Sequence, residues 1–150
     1  MKKDRDRERY LKAALSLLEW EVKLYHQTKA ELEVLKEEII LASKNIEQDM
    51  PKSKVVSDTT GNLAYKLLTN LQIREMEKRV IAIERAKDEF CASTKKEELE
   101  KRLAFIYLRF WNNNLTNKGI ALRLELGTTT IYDWRKSFLR LVGQYLGWRM

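Results

Sequence analysis

Leu115-Thr116-Asn117-Lys118-Gly119-Ile120-Ala121-Leu122-Arg123-Leu124-Glu125-Leu126-Gly127-Thr128-Thr129-Thr130-Ile131-Tyr132-Asp133-Trp134-Arg135-Lys136 is the stretch whose reading decides the fold. Thr116 can cap a short helix ending near Leu124, since a threonine hydroxyl accepts a backbone N–H of the first turn. Leu126-Gly127-Thr128 then makes a turn, and Thr128 or Gly127 caps a second helix running to about Leu146. Two helices crossing over a tight turn need apolar residues inward. Ile120, Leu124, Leu126, Ile131 and Trp134 occupy those places, and Ala121 supplies the small residue where the helices touch most closely. Glu125 opens the turn where this motif usually carries glycine; a non-glycine residue is tolerated there with some strain.

The pattern predicts a helix-turn-helix, and its outward face is polar. Thr128, Thr129, Tyr132, Asp133 and Lys136 fall on that face. A recognition helix reads base edges with its N-terminal outward residues, while lysines and arginines hold phosphates. The candidate DNA-contacting residues are therefore Lys118, Gly127, Thr128, Thr129, Tyr132, Asp133, Arg135, Lys136 and Arg140. Threonine methyls can touch thymine methyls. Asp133 could accept from a cytosine amino group, but pairing with Lys136 three residues on is the reading preferred. Trp134, spaced with Ile131 and Phe138, is read as core rather than as a stacking platform, and Trp20, Trp111 and Trp148 are read as packing residues.

Charge sets this segment apart. The chain carries 29 Lys/Arg against 22 Asp/Glu over 150 residues, and residues 101–150 hold nine of the bases and only two of the acids, Glu125 and Asp133. All the net charge of +7 thus falls in the last third. A compact basic unit beside a neutral one suggests a polyanion-binding module. One His and one Cys offer no basis for a metal site or an internal disulfide. No Cys/His dyad or glycine-rich phosphate loop is present, so no enzymatic activity and no cofactor are expected. No apolar run is long enough to cross a membrane. Met1 reads as the start of a cytosolic protein.

Upstream, residues 5–47 read as one long helix with Leu11, Leu15, Leu18, Val22, Tyr25, Leu32, Leu35 and Ile39 at steps of three and four. Leu17, Leu24 and Val34 widen the stripe. Pro51 breaks the pattern, so 48–60 is read as a loop. Residues 61–91 predict a second helix with Leu63, Leu67, Leu68, Leu71, Met76, Val80, Ile83 and Phe90 along it. The two pack most simply as an antiparallel hairpin, and the unequal lengths leave apolar surface on the first helix, which predicts a homo-oligomer, a dimer being favoured. Ser93 or Thr94 with Glu97 and Glu98 resembles a capping box, opening a third helix over 95–111 with Leu99, Leu103, Ile106, Tyr107 and Phe110 on one side. Asn112-Asn113-Asn114 ends it. The expected fold class is all-α: a helical hairpin and oligomerisation region over 1–92, then a compact helix-turn-helix domain over 93–150.

The sequence resembles the RinA/ArpU family of phage transcriptional regulators. The resemblance lies in the long first helix and proline-containing loop, in Gly61-Asn62-Leu63-Ala64-Tyr65-Lys66-Leu67-Leu68 running into Val80-Ile81-Ala82-Ile83-Glu84-Arg85-Ala86, and in Ile120-Ala121 with Thr130-Ile131-Tyr132-Asp133-Trp134-Arg135-Lys136. The last unit is similar to the promoter-binding region 4 of sigma factors. The resemblance implies a phage or prophage activator of late genes, acting on double-stranded DNA with host RNA polymerase in the bacterial cytoplasm. The alternative reading is a phage small terminase subunit that binds packaging-site DNA, although its usual order puts the DNA-binding part first. A structural coiled-coil adaptor with an incidental basic end is the third.

Overall fold

The computed structural model describes residues 1–48, 59–92, 95–112 and 114–150. Every regular element among them is helical: α1 (Lys2–Lys23), α2 (Tyr25–Gln48), α3 (Thr59–Cys91), α4 (Lys96–Ile106), a π-helical turn (Tyr107–Trp111), α5 (Asn117–Leu124) and α6 (Thr128–Tyr145). The expected all-α class holds. The loop expected over 48–60 falls at 49–58 outside the described residues, and α3 is already helical at Thr59.

The helix expected over 5–47 is interrupted. Leu24, with φ −83° and ψ 1°, separates α1 from α2. Neither proline nor glycine lies nearby. The cause is a side chain set into the backbone ladder: Trp111 Nε1 donates to the Val22 carbonyl at 3.0 Å, the oxygen that a continuous helix would offer to the N–H of residue 26. Tyr25 stacks on the same indole, 5.4 Å between ring centroids. A long-range interaction of this kind leaves no trace in local periodicity.

The chain packs into two compact units, residues 1–25 with 81–150, and residues 26–80. This division differs from the one expected at 92/93, because α1 and the end of α3 belong with α4–α6. The first unit buries Leu18, Val22, Phe90, Phe105, Ile106, Phe110, Ile120, Ile131, Phe138, Leu139 and Val142. Its aromatic centre is a chain of edge and tilted contacts, Phe90 against Phe138 at 5.7 Å, Phe105 against Phe110 at 6.0 Å and Phe110 against Phe138 at 5.5 Å. Such pairs contribute roughly 0.5–1.5 kcal/mol each beyond the area they bury. Charge follows packing: the first unit holds 20 Lys/Arg against 13 Asp/Glu, and residues 26–80 hold nine against nine.

The third helix departs from expectation toward its C-terminus. Its N-cap is Lys95, without a side-chain hydrogen bond; the capping box read from Ser93 or Thr94 falls on residues outside those described. Glu98 pairs with Arg102 at 3.2 Å. At the other end the π-turn shifts the register, since Asn112 N donates to Tyr107 O at 2.8 Å. A π-turn holds more residues per turn than the α spacing assumes. Leu103 and Tyr107 lie exposed, while Phe105 and Leu108 are buried; Leu103 precedes the π-turn, and the inward face of α4 runs through Phe105 and Ile106 instead. Asn112 ends the helix with φ −124° rather than in a left-handed conformation.

In the second unit, Leu32, Thr69, Met76 and Val80 are buried, and Lys36 Nζ lies 2.5 Å from Glu77 Oε1. A cavity is lined by Leu35, Ile39 and Ala42 of α2 with Tyr65, Lys66 and Thr69 of α3. Residue numbers thus run in opposite directions along the two helices. The stripe expected on 61–91 is only half right. Met76 and Val80 face inward, whereas Leu67, Leu68 and Leu71 are exposed on the side of α3 away from them. The residues expected to widen the first stripe also fail to do so fully: Leu17 and Val34 are exposed, and Trp20, read as a packing residue, is 61% exposed.

Candidate nucleic-acid interface

The site rests on the α5–turn–α6 segment, which forms as its residues dictate. Thr116 Oγ1 accepts from the Gly119 N–H at 3.1 Å, capping α5. At the far end Leu126 N donates to Ala121 O at 2.9 Å and Glu125 N to Leu122 O at 3.3 Å. That pair of bonds is a Schellman closure, which needs a left-handed residue just past the helix. Glu125 takes that role with φ 56° and ψ 44°, and it is the non-glycine residue with positive φ among those described. A side chain costs about 1–2 kcal/mol in this conformation relative to glycine.

Gly127 caps α6 with an extended backbone and no side chain to offer. Thr128, Thr129 and Thr130 are thus the first helical residues, and their N–H groups have no partner within the helix. Such a terminus attracts anions. Below, Ile131, Phe138, Leu139 and Val142 are fully buried. Trp134 is half-buried, set edge-on against Phe90 at 5.9 Å and Phe105 at 5.7 Å, and is a packing residue. The Arg102 guanidinium lies over both rings, 5.1 Å from Trp134 and 4.6 Å from Phe90, while its Nη1 donates to the Phe90 carbonyl at 2.7 Å. Arg102 thereby satisfies one of the carbonyls that the end of α3 leaves open.

The outward face is as expected in part. Gly127, Thr128, Thr129, Tyr132, Asp133, Lys136 and Arg140 are exposed along α6 or at its cap, and Lys118 is exposed on α5. Among the described residues Asp133 and Lys136 form no ion pair with each other, against the pairing preferred from sequence.

Arg135 does not join the outward face. Its Nη2 lies 3.0 Å from Glu19 Oε2, and Arg109 Nη1 lies 2.6 Å from Glu19 Oε1. Helical geometry explains this, for Arg135 follows Ile131 and precedes Leu139 by four residues, on the buried stripe. The Glu19 carboxylate is largely buried. Burial raises its pKa, but the Arg135 hydrogen bond and the charges of Arg109, Arg135 and Lys23 outweigh it and hold the group below the ordinary value of 4.5. Sequence reasoning missed Glu19, whose partners lie ninety and more residues away. Arg123, absent from the candidate residues, is likewise an exposed cation, in the last turn of α5.

Helices α5 and α6 with their caps present threonines at both N-termini, a tyrosine and four exposed cations, Lys118, Arg123, Lys136 and Arg140. No helix among the described residues is long and apolar enough to cross a membrane. Comparison with known proteins finds no family model, no curated protein and no solved structure that matches the chain.

Proposed function

We propose that this chain is a sequence-specific double-stranded DNA-binding regulator that uses α5–turn–α6 as a helix-turn-helix, with α6 as the reading helix. The observation that carries the reading is the division of α6: Ile131, Phe138, Leu139 and Val142 are buried, while Thr128, Thr129, Tyr132, Asp133 and Lys136 stand outward from an open N-terminus. A helix so divided can enter a major groove N-terminus first, with phosphates held by Lys118, Lys136 and Arg140. The net charge of the unit supports the reading. The resemblance to RinA/ArpU regulators makes the role that of a phage or prophage activator working with host RNA polymerase. Self-association through the second unit is part of the proposal, since Leu67, Leu68 and Leu71 leave an apolar face on α3.

The test is selection of bound sequences from randomised duplex by the full chain. A recurring sequence is expected, and Thr129→Ala and Tyr132→Ala should blur it by about 1–3 kcal/mol of discrimination while remaining folded by circular dichroism. Recovery of random sequence would refute specific recognition.

A further inference from the structure

The first half of α1 carries a second charged surface, separate from α6. Lys2, Arg5, Arg9 and Lys12 recur at i, i+3, i+7 and i+10, the spacing of a single helical face. Asp6 and Glu8 stand three or four residues from members of this row, Asp6 from Lys2 and Arg9 and Glu8 from Arg5 and Lys12, yet residues 2–12 hold six bases, Lys2, Lys3, Arg5, Arg7, Arg9 and Lys12, against three acids, Asp4, Asp6 and Glu8. All four bases are exposed, and among the described residues none forms an ion pair. Arg5 and Arg9 stand four apart, where like charges repel along a helix. The segment thus keeps a net charge of +3, six bases less three acids, over about 15 Å of helix, at ~1.5 Å per residue.

This row is fixed to the unit that contains α6. Ala14, Leu15, Leu18 and Val22 are buried on the other side of α1, and Glu19 is clasped by Arg109 and Arg135. Gly143 of α6 lies so close to α1 that a Cβ there would come within 3.1 Å of Leu18 Cδ1. The second half of α1 is therefore packed onto this unit, and residues 2–13 continue the same helix with no buried side chain.

We propose that Lys2, Arg5, Arg9 and Lys12 form a second duplex-DNA contact, which follows the phosphate backbone beyond the base pairs that α6 reads. The inference rests on the DNA-binding reading above. Phosphates recur along each strand about every 3.4 Å of duplex axis, so a row of this length meets several of them. An anionic membrane is the other surface that a basic helix could meet. It requires a broad apolar face beside the charges that can enter the lipid, whereas between Lys2 and Lys12 the apolar side chains are Tyr10 and Leu11 alone.

The experiment compares the full chain with the variant Lys2→Gln, Arg5→Gln, Arg9→Gln, Lys12→Gln. A Lys/Arg-exchanged version of the same four positions keeps the charge, and Arg74→Gln with Lys78→Gln removes charge from the neutral unit. Binding to short and long random duplex is titrated between about 50 and 200 mM salt. Helicity serves as the folding control, and vesicles with anionic headgroups as the second probe. The four-glutamine variant should flatten the plot of log K against log salt by between about two and four units, at nearly one for each phosphate that is no longer neutralised. Its affinity should no longer rise on longer duplex, and its sequence preference should persist. The two controls should match the parent. An unchanged slope in a parent that binds DNA overturns the second contact and leaves the reading helix standing. Vesicle binding that depends on the row, with the DNA slope unchanged, likewise overturns it. A parent with no salt-dependent DNA binding overturns both readings.

Discussion

Glu19 is a single carboxylate on which two arginines depend. Its removal leaves Arg109 and Arg135, whose side chains are 15% and 22% exposed, without their counter-charge. Breaking such a pair from one side costs about 3–5 kcal/mol, and the residual exposure here places Glu19→Ala near the lower end, a loss to be read from denaturant midpoints. The pH dependence has a definite sign. Because the folded-state pKa of Glu19 lies below the ordinary 4.5, the folded chain binds fewer protons there than the unfolded chain. The stabilisation is complete above the unfolded value and is lost as pH falls through the folded one. Glu19→Gln should therefore differ most from the parent near neutrality and converge with it in acid; a gap that stays constant across pH would contradict the pairing. Glu125 offers the opposite test. Glycine at φ 56° removes the Cβ penalty but adds unfolded-state freedom, so Glu125→Gly should raise stability by about 0.5–1 kcal/mol. The strain was legible from the sequence, since the turn could be placed from Thr116, Leu124 and Gly127 alone. The Glu19 clasp was not, since nothing in the local pattern around residue 19 reports arginines at 109 and 135.

Helix register divides what the sequence revealed from what it hid. Elements α5 and α6 were legible almost to the residue, because cap, closing turn and apolar spacing all agree there. The α4 region differs from its reading at Leu103 because the inward face of α4 runs through Phe105 and Ile106, and beyond it one π-turn shifts the face on which every later residue falls. The break at Leu24 was hidden for a related reason, as its cause is Trp111. Trp111→Phe keeps the ring against Tyr25 and removes the donor to Val22 O. An unsatisfied, part-buried carbonyl costs about 1–3 kcal/mol, and thermal melts should show that loss. A melt unchanged from the parent would mean that the indole N–H does not hold the break.

For the whole molecule, the packing makes the basic unit depend on both ends of the chain. A fragment spanning residues 93–150 carries α5 and α6 but lacks Leu18, Val22, Ile83 and Phe90, all buried within the same unit. Losing this much apolar burial exceeds the margin by which small domains fold. That fragment should show little cooperative unfolding, whereas a chain retaining residues 1–25 and 81–150 supplies the full core. The net charge of residues 101–150 is thus shared with a unit that also takes in residues 1–25 and 81–100. The central claim is that this unit binds duplex DNA, and the most direct measurement is the affinity of the full chain for double-stranded DNA as salt is varied. The account predicts binding at about 50 mM salt that weakens linearly on logarithmic axes, by about 0.9 unit of slope per phosphate contact. Absence of binding at that salt, or binding indifferent to it, would contradict the account.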